Sequence, residues 1–194
     1  MSVEPNGRPG CVPASERLNV FALVIYIPDP LGKFLDDLRR KLVPHYNPHA
    51  HVSVLPPRPL NVDWQRASAH ARAVLEACPA FEVELSEVHS FPVTGVIYLA
   101  VSAGAAELQR LHRTMCKGPL FFDEPFPYCP HVTLAQEIPQ DRARETEEIA
   151  RRSWMEFRGD RRFRVERAVF VQNTVQDHWV DLAEYELGAV AAKL

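Results

Sequence analysis

No apolar stretch in the 194-residue sequence reaches the roughly 18 residues that a membrane-spanning helix needs. The first 17 residues, MSVEPNGRPGCVPASER, lack the apolar centre of a secretory signal and read as a flexible tail. Cytoplasmic residence is the expectation. Cysteine is sparse. Cys11, Cys78, Cys116 and Cys129 form no CxxC pair, which argues against a zinc ribbon or a disulfide scaffold and fits reduced structural thiols. Charge of either sign is also not in excess. The 22 Lys and Arg residues face 25 Asp and Glu, a net charge of -3, which disfavours wholesale nucleic-acid binding but leaves room for a local basic groove. The chain is 46% hydrophobic and 24% charged, as in a soluble globular protein with a core of its own.

Periodicity supplies the elements. Residues 19–27, NVFALVIYI, read as a buried strand, followed by an amphipathic helix over 31–43 with Leu31, Phe34, Leu35, Leu38 and Leu42 on one stripe. HVSVL at 51–55 alternates as a strand and is expected to stop at Pro56-Pro57. A helix from Asp63 to Cys78 follows, then strands FEVELSEVHSF and GVIYLAVS joined by a short PVTG connection. A third helix carries Leu108, Leu111, His112 and Met115. HVTLA at 131–135 is a strand, PQDRARETEEIARRSW a helix with Pro139 near its first turn, and RFRVERAVFVQN and HWVDLAEYEL are closing strands. The order strand, helix, histidine strand, helix, strand occurs twice. An α+β architecture of two lobes facing each other with approximate two-fold symmetry follows, in one domain over 18–194.

The repeat gives two short motifs their meaning. HVSV and HVTL each open a strand, each soon after a proline (Pro48 and Pro130), and they stand eighty positions apart (131 minus 51). In a strand His51 and Ser53 share one face while Val52 and Val54 take the other, and His131 and Thr133 do the same against Val132 and Leu134. With eight histidines and thirteen Ser or Thr, H-x-[ST] arises by chance roughly half a time. Two copies at equivalent places in a repeat are a much stronger signal. Two imidazoles and two hydroxyls converging on one cleft suit in-line attack on a phosphodiester. One imidazole takes a proton from water, the other gives one to the departing oxygen, and the hydroxyls bond the non-bridging oxygens. No DxD or HExxH pattern is present, and the scheme requires no metal or other cofactor.

These motifs resemble the paired H-x-[ST]-h signatures of the 2H (two-histidine) phosphoesterase superfamily, which includes the bacterial RNA 2′,3′-cyclic phosphodiesterases, also called 2′-5′ RNA ligases. The resemblance runs from about Asn19 to Leu187. It implies a bilobal, duplicated α+β fold with a central cleft and metal-independent hydrolysis of 2′,3′-cyclic or 2′-5′ phosphodiesters of nucleotides or RNA termini. It also implies His51 and His131 as catalytic residues and Ser53 and Thr133 as phosphate ligands. Two departures stand out. Position 53 is Ser where Thr is commoner, and the second motif runs into Ala135-Gln136-Glu137 without the arginine of many RNA-directed members. Both the missing arginine and the negative net charge tilt the expected substrate toward small nucleotides. The alternative is a non-catalytic module that binds a nucleotide or RNA end in the same cleft. A monomer is expected.

Other residues carry weaker signals. Arg58 and Tyr128 are candidate substrate contacts, Arg58 being equally readable as an ordinary exposed arginine. Phe121, Phe122, Phe126 and Tyr128 read either as a lip for a nucleobase or as aromatics filling the gap between lobes. The basic run 158–167 reads as a solvated face before an RNA track. His45, His49 and His51 are spaced like metal ligands but lack a Cys or carboxylate to complete the set, and His112 on its apolar stripe reads as a core histidine.

Overall fold

The computed structural model describes residues 16–43 and 49–188. In chain order they form β1 (Arg17–Tyr26), α1 (Leu31–Leu42), β2 (His51–Arg58), α2 (Trp64–Glu76), β3 (Phe81–Ser90) and β4 (Ile97–Val101). These are followed by α3 (Ala105–Met115), β5 (His131–Ala135), α4 (Ala143–Glu156), β6 (Arg162–Val165), β7 (Arg167–Thr174) and β8 (Trp179–Glu186). The tail expected over 1–17 lies outside the described residues up to position 15, and Arg17 already belongs to β1.

Two antiparallel four-stranded sheets result, in the orders β2-β1-β7-β8 and β5-β4-β3-β6. Each histidine strand is therefore the edge of its sheet. The two lobes are not successive halves of the chain, however. β3 leaves the first half to join the second sheet, while β7 and β8 return to the first. The run 162–173, continuous in sequence, breaks at Glu166 to make this exchange. Its front part alternates exposed and buried residues, as in a one-sided strand, whereas Ala168–Val171 are all buried, as in a central strand covered on both faces.

Other boundaries move for local reasons. β2 continues through Pro56-Pro57 to Arg58, because an edge strand tolerates proline and the pairing with β1 slips there, from Phe21 opposite Arg58 to Leu23 opposite Leu55. Asp63 caps α2 by accepting from the Arg66 amide at 2.9 Å. Residues 139–142 form a turn closed by Arg142 N–H on the Pro139 carbonyl, so α4 starts only at Ala143.

The lobes interlock. α1, which precedes β2, packs against β5, and α3, which precedes β5, packs against β2. Leu23, Leu35 and Leu55 therefore belong to the same continuous core as Leu85, Leu99 and Leu108. This brings β2 and β5 against each other.

A buried polar network crosses the same seam. Arg58, 2% exposed, donates from Nε to the Pro56 carbonyl (3.0 Å) and from Nη1 to the Leu120 carbonyl (3.2 Å) and Cys116 Sγ (3.3 Å). Its Nη2 pairs with Glu124. The other Glu124 oxygen lies 3.5 Å from His112 Nε2, and His112 Nδ1 donates to the Val54 carbonyl at 2.8 Å. His112 stacks on Tyr128, centroids 3.9 Å apart and planes 2° from parallel, and the Tyr128 hydroxyl donates to the Ser53 carbonyl at 2.8 Å. The segment between α3 and β5 is thereby fastened to β2. Removing one partner of a buried pair strands the other charge, which costs about 3–5 kcal/mol. Arg58→Ala is expected to lower the unfolding free energy by at least about 3 kcal/mol in equilibrium urea unfolding. A solvated arginine would cost less than about 1 kcal/mol.

Candidate active site

The two histidine strands show the alternation that their sequences predict. His51 and Ser53 are half-buried between Val52 and Val54, both at 0% exposure, and His131 and Thr133 are half-buried around Val132 and Leu134. The apolar residues anchor each strand in the core, and the polar ones share the other face. In register, His51 lies opposite Tyr26 on β1, while Thr133 lies opposite Tyr98 and His131 opposite Ala100 on β4.

Both imidazoles are oriented by the same device. His51 Nδ1 bonds the His49 carbonyl at 2.8 Å, and His131 Nδ1 bonds the Cys129 carbonyl at 2.7 Å. A carbonyl oxygen only accepts, so Nδ1 carries the proton in each ring. Nε2 is then left with a lone pair in the neutral form. Neither the Ser53 nor the Thr133 hydroxyl is hydrogen-bonded to another described residue. Each strand thus offers an Nε2 and a hydroxyl together.

Burial disfavours the charged form of both rings. His51 is pushed down to about 4, chiefly by burial. The Arg39 and His131 charges add to the drop, against the opposing pull of the His49 carbonyl and Asp36. His131 is also lowered by burial, against the Cys129 carbonyl bond. A charge on His131 therefore disfavours a charge on His51.

Aromatic walls flank each ring. Tyr26 stands edge-on to His51 (6.4 Å, 83°), with its hydroxyl donating to Asp181 at 2.7 Å. Burial first, then Asp181, holds that phenol protonated well above the ordinary tyrosine range. His131 is bracketed by Phe91 (5.1 Å) and Tyr98 (5.2 Å), which stack on each other at 4.1 Å.

Two residues near His51 escape motif reading. Asp36 Oδ1 accepts from the Ala50 amide at 2.7 Å and from Arg39 at 3.4 Å, and Oδ2 lies 3.5 Å from His49 Nδ1. The carboxylate thus steadies the segment whose carbonyl orients His51. The signal for it is Arg39, 8% exposed, a charge four residues after Leu35 and three before Leu42 on the apolar stripe of α1.

The remaining candidates fall elsewhere. Arg58, a candidate phosphate contact from sequence, is buried and committed to Glu124; Tyr128 is turned onto His112 and the Ser53 main chain. Phe121 and Phe126 are exposed, and Phe122 lies beneath the Arg58 guanidinium. In the basic run, Arg162 pairs with Glu84, Arg164 with Glu82 and Glu166, Arg167 with Glu184, and Arg161 covers the Trp154 ring. His45 lies outside the described residues, and His49 is exposed. Among the described residues the donors of His112, Cys116 and Glu124 lie within 4.8 Å of one another, as a metal ion would require. The Arg58 guanidinium already supplies the cation there, bonding both Cys116 and Glu124.

Known proteins match the chain in sequence family and in fold. The family model described as the 2′-5′ RNA ligase superfamily matches residues 27–177. A Geobacillus kaustophilus protein named "Putative phosphoesterase" is 26% identical over 129 residues, covering 61% of this chain and 70% of the relative. A like-named Oceanobacillus iheyensis protein is 27% identical over 119 residues, 57% and 68% of the two chains. Among solved structures, E. coli LigT complexed with 3′-AMP superposes with a TM-score of 0.63 at 14% identity, over 89% of this chain and 98% of LigT. TT0787 of Thermus thermophilus gives 0.62 at 18% identity, over 87% and 98%. Kluyveromyces marxianus Usb1 with uridine monophosphate gives 0.52 at 13% identity, over 88% and 99%. These structures share the fold, and with the family match the chain belongs to the 2′-5′ RNA ligase superfamily, the two-histidine phosphoesterases.

Proposed function

We propose that the protein is a metal-independent phosphodiesterase hydrolysing 2′,3′-cyclic or 2′-5′ phosphodiester bonds of nucleotides or RNA ends. The observation that carries this reading is the repeated half-site. Two strand edges each present a neutral imidazole with Nδ1 tied to a carbonyl two residues upstream, beside an unengaged hydroxyl. One Nε2 takes a proton from water as its oxygen bonds to phosphorus. The other imidazole, protonated, gives its Nε2 proton to the departing ribose oxygen as that P–O bond breaks. Ser53 and Thr133 donate to the non-bridging oxygens, where charge accumulates. His51, the more depressed and the nearer to Arg39, is the base in this scheme, and His131 the acid. The anionic phosphate favours the proton that His131 must hold.

LigT and Usb1 carry nucleotides in their structures, which supports a nucleotide ligand here. The pairing of Arg162, Arg164 and Arg167 with glutamates supports a small substrate over a long RNA track.

His51→Ala and His131→Ala are each expected to lower kcat by about 10²–10⁴-fold on nucleoside 2′,3′-cyclic phosphates, with EDTA leaving the unsubstituted protein unaffected. Full activity in either variant removes that residue from the mechanism. Nucleotide binding without turnover across cyclic and 2′-5′ linked substrates would establish a binding module instead. The profile of kcat/KM against pH reports the free protein, in which His51 must be neutral and His131 protonated. Both groups titrate below their ordinary 6.5. The bell is therefore expected to peak on the acid side of 6.5, falling on the acid limb near 4 as His51 gains a proton and on the basic limb as His131 loses one. A peak above 7 contradicts the assignment.

A further inference from the structure

One dipeptide holds both half-sites. The Tyr128 side chain donates to the carbonyl of Ser53, in the first motif, while the carbonyl of the adjacent Cys129 accepts from His131 Nδ1, in the second. We infer that Tyr128 is a positioning residue that sets where the Ser53 hydroxyl stands relative to His131. The inference rests on the phosphodiesterase reading above.

Tyr128 is built for such a task. Its ring lies flat on His112, and His112 is held by the Val54 carbonyl, the residue after Ser53. Burial first, then the neighbouring Glu124 and Cys129, raises the phenol's pKa, so the hydroxyl remains a donor at neutral pH. The two halves also differ in what they need. In the first, Asp36 holds the Ala50 amide just ahead of His51. Eighty positions on, the corresponding residue is Pro130, which has no N–H to hold. The approach to His131 therefore takes its anchor from Tyr128, two residues further back, and that anchor is the opposite half-site. A misplacement of about 1 Å between a phosphate-holding hydroxyl and the proton donor lowers turnover steeply while leaving ground-state binding largely intact.

Tyr128→Phe keeps the stacked ring and deletes only the donor. On a nucleoside 2′,3′-cyclic phosphate the expected result is a kcat about tenfold lower with KM changed less than about twofold. In a Ser53→Ala background the same substitution is expected to change kcat by less than about twofold, because the hydroxyl it positions is already gone. A general loosening of the fold would instead lower kcat tenfold in both backgrounds and would overturn the inference, as would a wild-type kcat in Tyr128→Phe. Binding of a pentacoordinate uridine–vanadate complex gives the same readout without turnover. It is expected to weaken about tenfold in Tyr128→Phe while 2′-UMP binds as before, and equal vanadate affinity overturns the positioning role. Wild-type protein that neither turns over nor binds uridine–vanadate overturns the phosphodiesterase reading and the positioning role with it. Wild-type turnover matched by Tyr128→Phe overturns the positioning role alone.

Discussion

A sheet edge leaves backbone groups unpaired, and proteins cover or blunt such edges. Here the two motif strands, β2 and β5, are both edges, and each lies against the other. Everything at the site follows from keeping those edges together. The exchange of β3 for β7 and β8 prevents the lobes from being separate units, and α1 and α3 each brace the opposite motif strand. A continuous core spanning both sheets gives the arrangement the rigidity of an interior rather than that of a hinge.

The same seam decides the electrostatics. Imidazoles placed where two lobes meet are desolvated, so both rings favour the neutral state, and a charge on one disfavours a charge on the other. An anion bound beside them would favour the first proton on one ring, while the charge on that ring disfavours a second on the other. The approximate symmetry is broken by what surrounds each ring: Asp36 and Arg39 near His51, Phe91 and Tyr98 around His131. The halves share a motif and a tautomer but not a neighbourhood.

Local patterns were legible in sequence wherever the cause was local. Strand alternation put His51 and Ser53 on one face, and an apolar stripe marked each helix. Partner choice was not legible, since nothing in RFRVERAVFVQN says that its two ends pair with different sheets until β1 and β3 compete for them. Arg58 looked like a surface cation because its partner, Glu124, is 66 positions away. Tyr128 was visible as an aromatic near the second motif, but its hydrogen bond to the main chain of the first motif, 75 residues back, exists only in the fold. Asp36 was hidden for the same reason, being one of two adjacent aspartates on a helix whose difference is the Ala50 amide.

The central claim is that His51 and His131 act on one phosphate. It is tested most directly by following the Cε1–H resonances of all eight histidines while a nucleoside 2′-phosphate is added. Two resonances, assigned to His51 and His131 by substitution, should move together with one dissociation constant and shift toward their protonated positions, while the others stay in place. Separate constants for the two, or a response centred on His45 and His49, would contradict a shared phosphate site.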